Sequence, residues 1–150
     1  MEEEILRYEN RDKLFHFLIE DFDFVKLEEK YYPDTFGNFY VIISVREFLL
    51  RYSKSKSLLS IEIASHSNPS RWTDLTFVKN FIYNPNDINP DEQSVSADKR
   101  IEELNNFLRN DFNLIADLFS NQKCKNTQDK INQLLQLLFE QRFPRLTKKN

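Results

Sequence analysis

Covalent catalysis needs a nucleophile with a base held beside it, and this chain has few side chains for either part. It contains one cysteine, Cys124, and two histidines, His16 and His66. Cys124 stands in Gln122-Lys123-Cys124-Lys125, and lysines are neighbours of the kind that activate a thiol. His16 falls beside Phe15 and Phe17 in an expected helix, while His66 falls in a Ser/Asn/Pro-rich stretch. Neither is near Cys124 in sequence or in the same element, so no Cys/His or Ser/His pair is expected, and no catalytic residue is assigned.

Metal chemistry has no better footing. The spacings H-x-x-x-H, C-x-x-C and H-E-x-x-H do not occur. The run Asn84-Pro85-Asn86-Asp87-Ile88-Asn89-Pro90-Asp91-Glu92 is rich in oxygen donors. It lacks the order and central glycine of a calcium loop, and two prolines stiffen it, so it reads as a solvated loop. The single glycine, Gly37, leaves no glycine-rich phosphate cradle. No metal and no cofactor are expected.

Paired carboxylates do acid–base work only where a cleft perturbs them. Glu47 and Glu62 are expected on neighbouring strands, with Glu62 on the solvent face, because it alternates with Leu59, Ile61 and Ile63. Asp74 follows Trp72-Thr73 and reads as a helix-start residue. The rings of Phe39, Tyr40, Phe48 and Tyr52 could stack bases on an open sheet, but the aromatic and basic consensus for that is absent and they read as core. Trp72, the one tryptophan, has two readings. It plugs the end of the sheet against the helix that follows, or it anchors an interface, where Trp, Tyr and Arg dominate the energetics.

The elements that would position these residues follow from periodicity. Residues 10–22 carry Leu14, Leu18 and Phe22 four apart, with Phe15 and Ile19 beside them: one helix face. Four strand-like runs come next. Val25, Leu27 and Tyr31 alternate with charged residues over 24–31; residues 39–45 are apolar on both faces, which places them inside a sheet. Phe48, Leu50 and Tyr52 alternate with Arg51 facing the other way, and Leu59, Ile61 and Ile63 follow the polar loop 53–57. Short connections imply an antiparallel meander. Residues 65–70 read as a loop and 73–82 as a short helix capped by Thr73 or Ser70. The polar, proline-containing stretch 84–96 reads as a mobile loop. From Ser96, Ile101, Leu104, Leu108, Phe112, Ile115 and Phe119 recur every three or four positions, with a bend expected near Asn110-Asp111. Asn126 or Thr127 opens the last helix and Pro144 closes it. The expectation is one α+β domain over 1–150: a two-layer body with a four-stranded antiparallel meander after an N-terminal helix, then a short helix and two longer ones.

The chain has 150 residues, 40% of them apolar and 14% aromatic, enough bulk for one packed core. No window approaches 18 uncharged apolar residues, so no transmembrane span and no membrane partner are expected. The start Met1-Glu2-Glu3-Glu4-Ile5 lacks the basic and apolar segments of a secretory signal, and a single cysteine suits a reducing interior, so a cytoplasmic location is expected. The net charge of −3 hides segregation: 1–34 carries 5 basic and 11 acidic side chains, 84–120 carries 3 and 8, and 121–150 carries 7 and 2. A protein that lives on phosphate contacts is usually basic overall. Here the basic end, Arg142, Arg145, Lys148 and Lys149, reads first as a solvated terminus, and nucleic acid is the alternative partner.

Between Phe24 and Ile82 the chain runs through Tyr31-Tyr32, Gly37-Asn38-Phe39-Tyr40-Val41, Phe48-Leu49-Leu50-Arg51-Tyr52, Leu59-Ser60-Ile61-Glu62-Ile63 and Pro69-x-x-Trp72-x-x-Leu75. This pattern, about 60 of the 150 residues, resembles a loose group of small bacterial α+β proteins, some of which accompany toxin systems as immunity proteins. The resemblance brings no catalytic residues. It implies a cytoplasmic, non-catalytic protein-binding module that inhibits a partner toxin, and the acidic blocks suit a basic partner. Asp87, Asp91, Glu92 and Trp72 are the candidate partner-binding residues. Leu137 and Leu138, beside the core stripe of the last helix, can also support a homodimer.

Overall fold

The computed structural model describes residues 24–32, 34, 38–55, 58–85 and 98–142. The helix expected over 10–22 and nearly all of the 84–96 loop lie outside them. Within the described residues the architecture is α+β: an antiparallel sheet followed by helices. The strands are β1 (Phe24–Tyr32), β2 (Asn38–Val45), β3 (Phe48–Ser55), β4 (Leu58–Ser65) and β5 (Asn68–Asp74). They lie side by side in the order β1-β2-β3-β4-β5, each antiparallel to the next. The helices are α1 (Leu75–Tyr83), α2 (Asp98–Asn110), α3 (Phe112–Leu118) and α4 (Cys124–Arg142).

The sheet has five strands where periodicity predicts four. Residues 68–70, expected in a loop, open β5, and Thr73, expected at a helix start, pairs with Ile63 near its end. Asn, Pro and Ser are poor strand formers, yet a proline near the start of an edge strand removes no needed donor. The loop 53–57 is also shorter than expected. β3 runs on to Ser55, and Ser53 faces Ser60 with their hydroxyls 2.7 Å apart. In β1 the alternation slips. A bulge between Lys26 and Glu28 turns the strand over, so Val25 and Leu27 are exposed while Glu29 and Tyr31 are half-buried.

One face of the sheet carries Phe39, Val41, Ile43, Val45, Phe48, Leu50, Tyr52, Ile61 and Ile63, all buried. They pack against Leu75 and Val78 of α1, Leu104, Phe107 and Leu108 of α2, Phe112, Ile115 and Ala116 of α3, Phe119, and Cys124 and Ile131 of α4. Phe39 meets Tyr52 edge-on at 5.6 Å, and Phe48 meets Phe112 at 5.4 Å. The described helices thus pack on one face of the sheet, as the apolar pattern leads one to expect.

The helix ends have local causes. Asp74 caps α1, its carboxylate accepting the Thr76 N–H at 2.8 Å, while the expected caps Thr73 and Ser70 sit in β5. The long helix from residue 98 to 118 is interrupted at Asp111, the bend expected there. Tyr83 donates its hydroxyl to the Asp111 carboxylate at 2.7 Å, pinning the end of α1 to that interruption. The last helix starts at Cys124, ahead of Asn126 and Thr127. Thr127 is buried in its first turn, and its hydroxyl donates to the Leu118 carbonyl at 2.8 Å. No helix among the described residues is long and apolar enough to cross a membrane.

Candidate functional site

Strand alternation sends every second side chain to the face away from the helices. Register places Glu28, Ile42, Arg51, Glu62 and Asp74 in one line across that face, from β1 to β5. Tyr40 and Ser53 stand in the neighbouring line, and Trp72 on β5 shares the face with Asp74. Leu49 and Ala64 are its buried members.

The centre of this face is Arg51. Its Nε and one terminal nitrogen both donate to Oε1 of Glu62, at 2.9 and 2.7 Å. Its guanidinium carbon lies 4.5 Å from the centre of the Trp72 ring. Cross-strand pairing sets up the first contact, since Arg51 and Glu62 are direct partners in the β3–β4 ladder. The ring supplies the second through its quadrupole. The guanidinium is thereby fixed in direction, while 30% of the side chain remains exposed.

Toward β1, Tyr40 donates its hydroxyl to Oε1 of Glu28 at 2.8 Å. That bond, with partial desolvation and the Glu28 charge, holds the Tyr40 phenol above its ordinary range. Lys30 stands on the same face beside Tyr40 and is also pushed up, by attraction to Tyr40, Tyr32 and Glu28. Glu28, Tyr40, Ile42, Arg51, Ser53 and Glu62 line a shallow concavity of about 290 Å³.

The sequence-based candidates fare unequally. Trp72 is half-buried on this face, turned away from α1–α4, so it does not plug the sheet against α1. Asp87, Asp91 and Glu92 lie outside the described residues, as do His16, Arg145, Lys148 and Lys149. Glu47 lies in the β2–β3 turn rather than on a strand, so it and Glu62 form no pair. Of the rings proposed for stacking, Phe39, Phe48 and Tyr52 are in the core as expected, whereas Tyr40 faces the other way. His66 is exposed in the β4–β5 turn, 3.3 Å from the Ser44 hydroxyl, and Cys124 is buried with its sulfur 3.4 Å from the Ser67 hydroxyl. Among the described residues no group of three or more His, Cys, Asp or Glu side chains is placed to hold a metal ion. The Arg51–Glu62–Trp72 cluster escaped the sequence reading because β5 did, although Arg51 opposite a glutamate on the next strand was a usable signal.

No protein-family model, curated protein or solved structure matches this chain.

Proposed function

We propose that this protein is a non-catalytic binding module that engages a partner protein through the sheet face turned away from α1–α4, in the manner of an immunity protein neutralising a toxin. The observation that carries the reading is Arg51, clamped by Glu62 and stacked on Trp72 while still partly exposed. Trp, Tyr and Arg supply most hot-spot energy at protein interfaces, and fixing their rotamers beforehand lowers the ordering cost of binding. Here Trp72, Arg51 and Tyr40 share one rigid sheet face and each has its polar atoms or ring engaged by a neighbour. The acidic residues Asp87, Asp91 and Glu92 would add charge that speeds encounter with a basic toxin in the cytoplasm.

The test is co-expression with a toxin-like product encoded beside this chain. Growth should be restored, the two proteins should co-purify, and Trp72→Ala should weaken the complex at least tenfold, as for a hot spot above roughly 2 kcal/mol. Unrestored growth with no complex on a column removes the proposal.

A further inference from the structure

The face turned away from α1–α4 is not open along its whole length. On β3, Leu49 points to that face and is 4% exposed, and Ala64 beside it on β4 is fully buried. Neither belongs to the core cluster of the opposite face, where α1–α4 pack. The ladder flanks Leu49 with Ser44 on one side and Ala64 on the other. A leucine between two such short side chains stands above both, so its burial needs a cover laid over the sheet. The ring of Trp72 is engaged by Arg51, one row further along β3. Val25, at the β1 end of the Leu49 row, is 62% exposed, which puts the cover over β2, β3 and β4 rather than over the edge.

We propose that residues 10–22 form that cover: an amphipathic helix laid across the strands, with its apolar stripe on Leu49 and Ala64. The segment lies outside the described residues, and its sequence and point of attachment carry the inference. Leu14, Phe15, Leu18, Ile19 and Phe22 make one stripe at helical spacing. Asp23 alone separates the segment from β1, which starts at Phe24. Phe24 pairs with Val45, and Val25 with Ser44, so the chain enters at the Ser44–Leu49–Ala64 end of the sheet. As a helix, the thirteen residues 10–22 reach about 20 Å, and five strands at about 4.8 Å spacing span about 19 Å. Counted back from Phe22, each four-residue step covers about 6 Å, which brings Leu18 over β2 and Leu14 over β3 and β4, where Leu49 and Ala64 lie. The Tyr40–Ser53 row lies four residues further along β3, about 13 Å away, beyond a helix half-width of about 5 Å. That end of the face stays free for a partner, and the inference goes beyond the docking reading without resting on it.

The test is nuclear magnetic resonance on the full chain with labelled methyl groups. The methyls of Leu14 and Leu18 should show through-space contacts to those of Leu49 and Ala64. In a chain carrying Leu14→Asp and Leu18→Asp, the Leu49 methyls should become as open to a soluble paramagnetic probe as those of Leu137, which is 51% exposed against 4% for Leu49. The Leu50 and Ile63 methyls, in the opposite core, should keep their shifts, which separates loss of the cover from loss of the fold. The contacts in the unsubstituted chain need no variant, so a misfolded double variant leaves the test intact. Absence of contact between the two pairs of residues overturns the proposal. So does contact seen only between differently labelled chains in a mixed sample, which makes a second copy the cover. A Leu49 that opens with Trp72→Ala but not with the double variant overturns it as well. Methyl contacts in a chain that forms no partner complex would keep the cover and discard the docking reading.

Discussion

The Arg51–Glu62 contact is open to a quantitative check by a double-mutant cycle with Arg51→Met and Glu62→Gln. Methionine keeps an unbranched stem near Trp72, and glutamine keeps the shape of glutamate, so each change removes charge with little loss of packing. Two charge-assisted bonds of 2.9 and 2.7 Å converge on one oxygen, and such bonds are worth about 1.5–3 kcal/mol when desolvated. Fully exposed ion pairs give only about 0.2–1 kcal/mol. With the two side chains 30% and 24% exposed, the coupling energy should fall between these limits, near 1 kcal/mol. Urea unfolding read at Trp72 emission and by circular dichroism supplies the four free energies. The coupling should persist at 0.5 M salt, because a half-buried pair is screened less than an exposed one. A coupling below about 0.3 kcal/mol is within ordinary additivity and would refute the claim that Glu62 fixes the guanidinium.

Three further outcomes follow from packing and charge. Phe48 is fully buried against Phe112, so Phe48→Ala should lower stability by about 3–5 kcal/mol in denaturant titration, and a loss under about 1 kcal/mol would remove Phe48 from the core. Hydrogen bonds to carboxylates hold the phenols of Tyr40 and Tyr83 above the ordinary range near 10, so the folded state favours the protonated phenol. Their contribution is full below about pH 10 and is lost as pH rises through the higher folded values; ultraviolet titration of the chain and of Tyr83→Phe should show a late-ionising component that shrinks in the variant. The Asp129 carboxyl is held low by hydrogen bonds from Arg71 and Lys125. Its contribution is full above the ordinary carboxylate value and is lost as pH falls below about 4, so Asp129→Asn should flatten the acid limb of the stability curve.

What could be read from the sequence divides along physical lines. Strands β2, β3 and β4 and the core stripe of α2 and α3 are legible because burial imposes a period on long runs such as Phe39–Val45. β5 is not, because Asn68, Pro69 and Ser70 hold an edge position through tertiary pairing with β4 rather than through propensity. The bulge at Leu27 is equally silent, since alternation of Val25, Leu27 and Tyr31 looks regular until the partner strand sets the register. For the candidate site, Trp72 stood out by its rarity, but its partners did not. Its contact with Arg51 depends on a strand pairing that local sequence does not announce.

The order β1-β2-β3-β4-β5 also bears on how the protein is made. Every strand finds its partner in the strand that immediately precedes or follows it. The sheet can therefore zip up hairpin by hairpin as the chain leaves the ribosome. The apolar row from Val41 to Ile63 then emerges well before Ile131 of α4 that helps to cover it. At a synthesis rate of about 5–20 residues per second, that row waits several seconds for its lid. Over that interval the nascent sheet is a sticky half-protein, and ribosome-bound chaperones that shelter apolar segments should crosslink to it until α4 arrives.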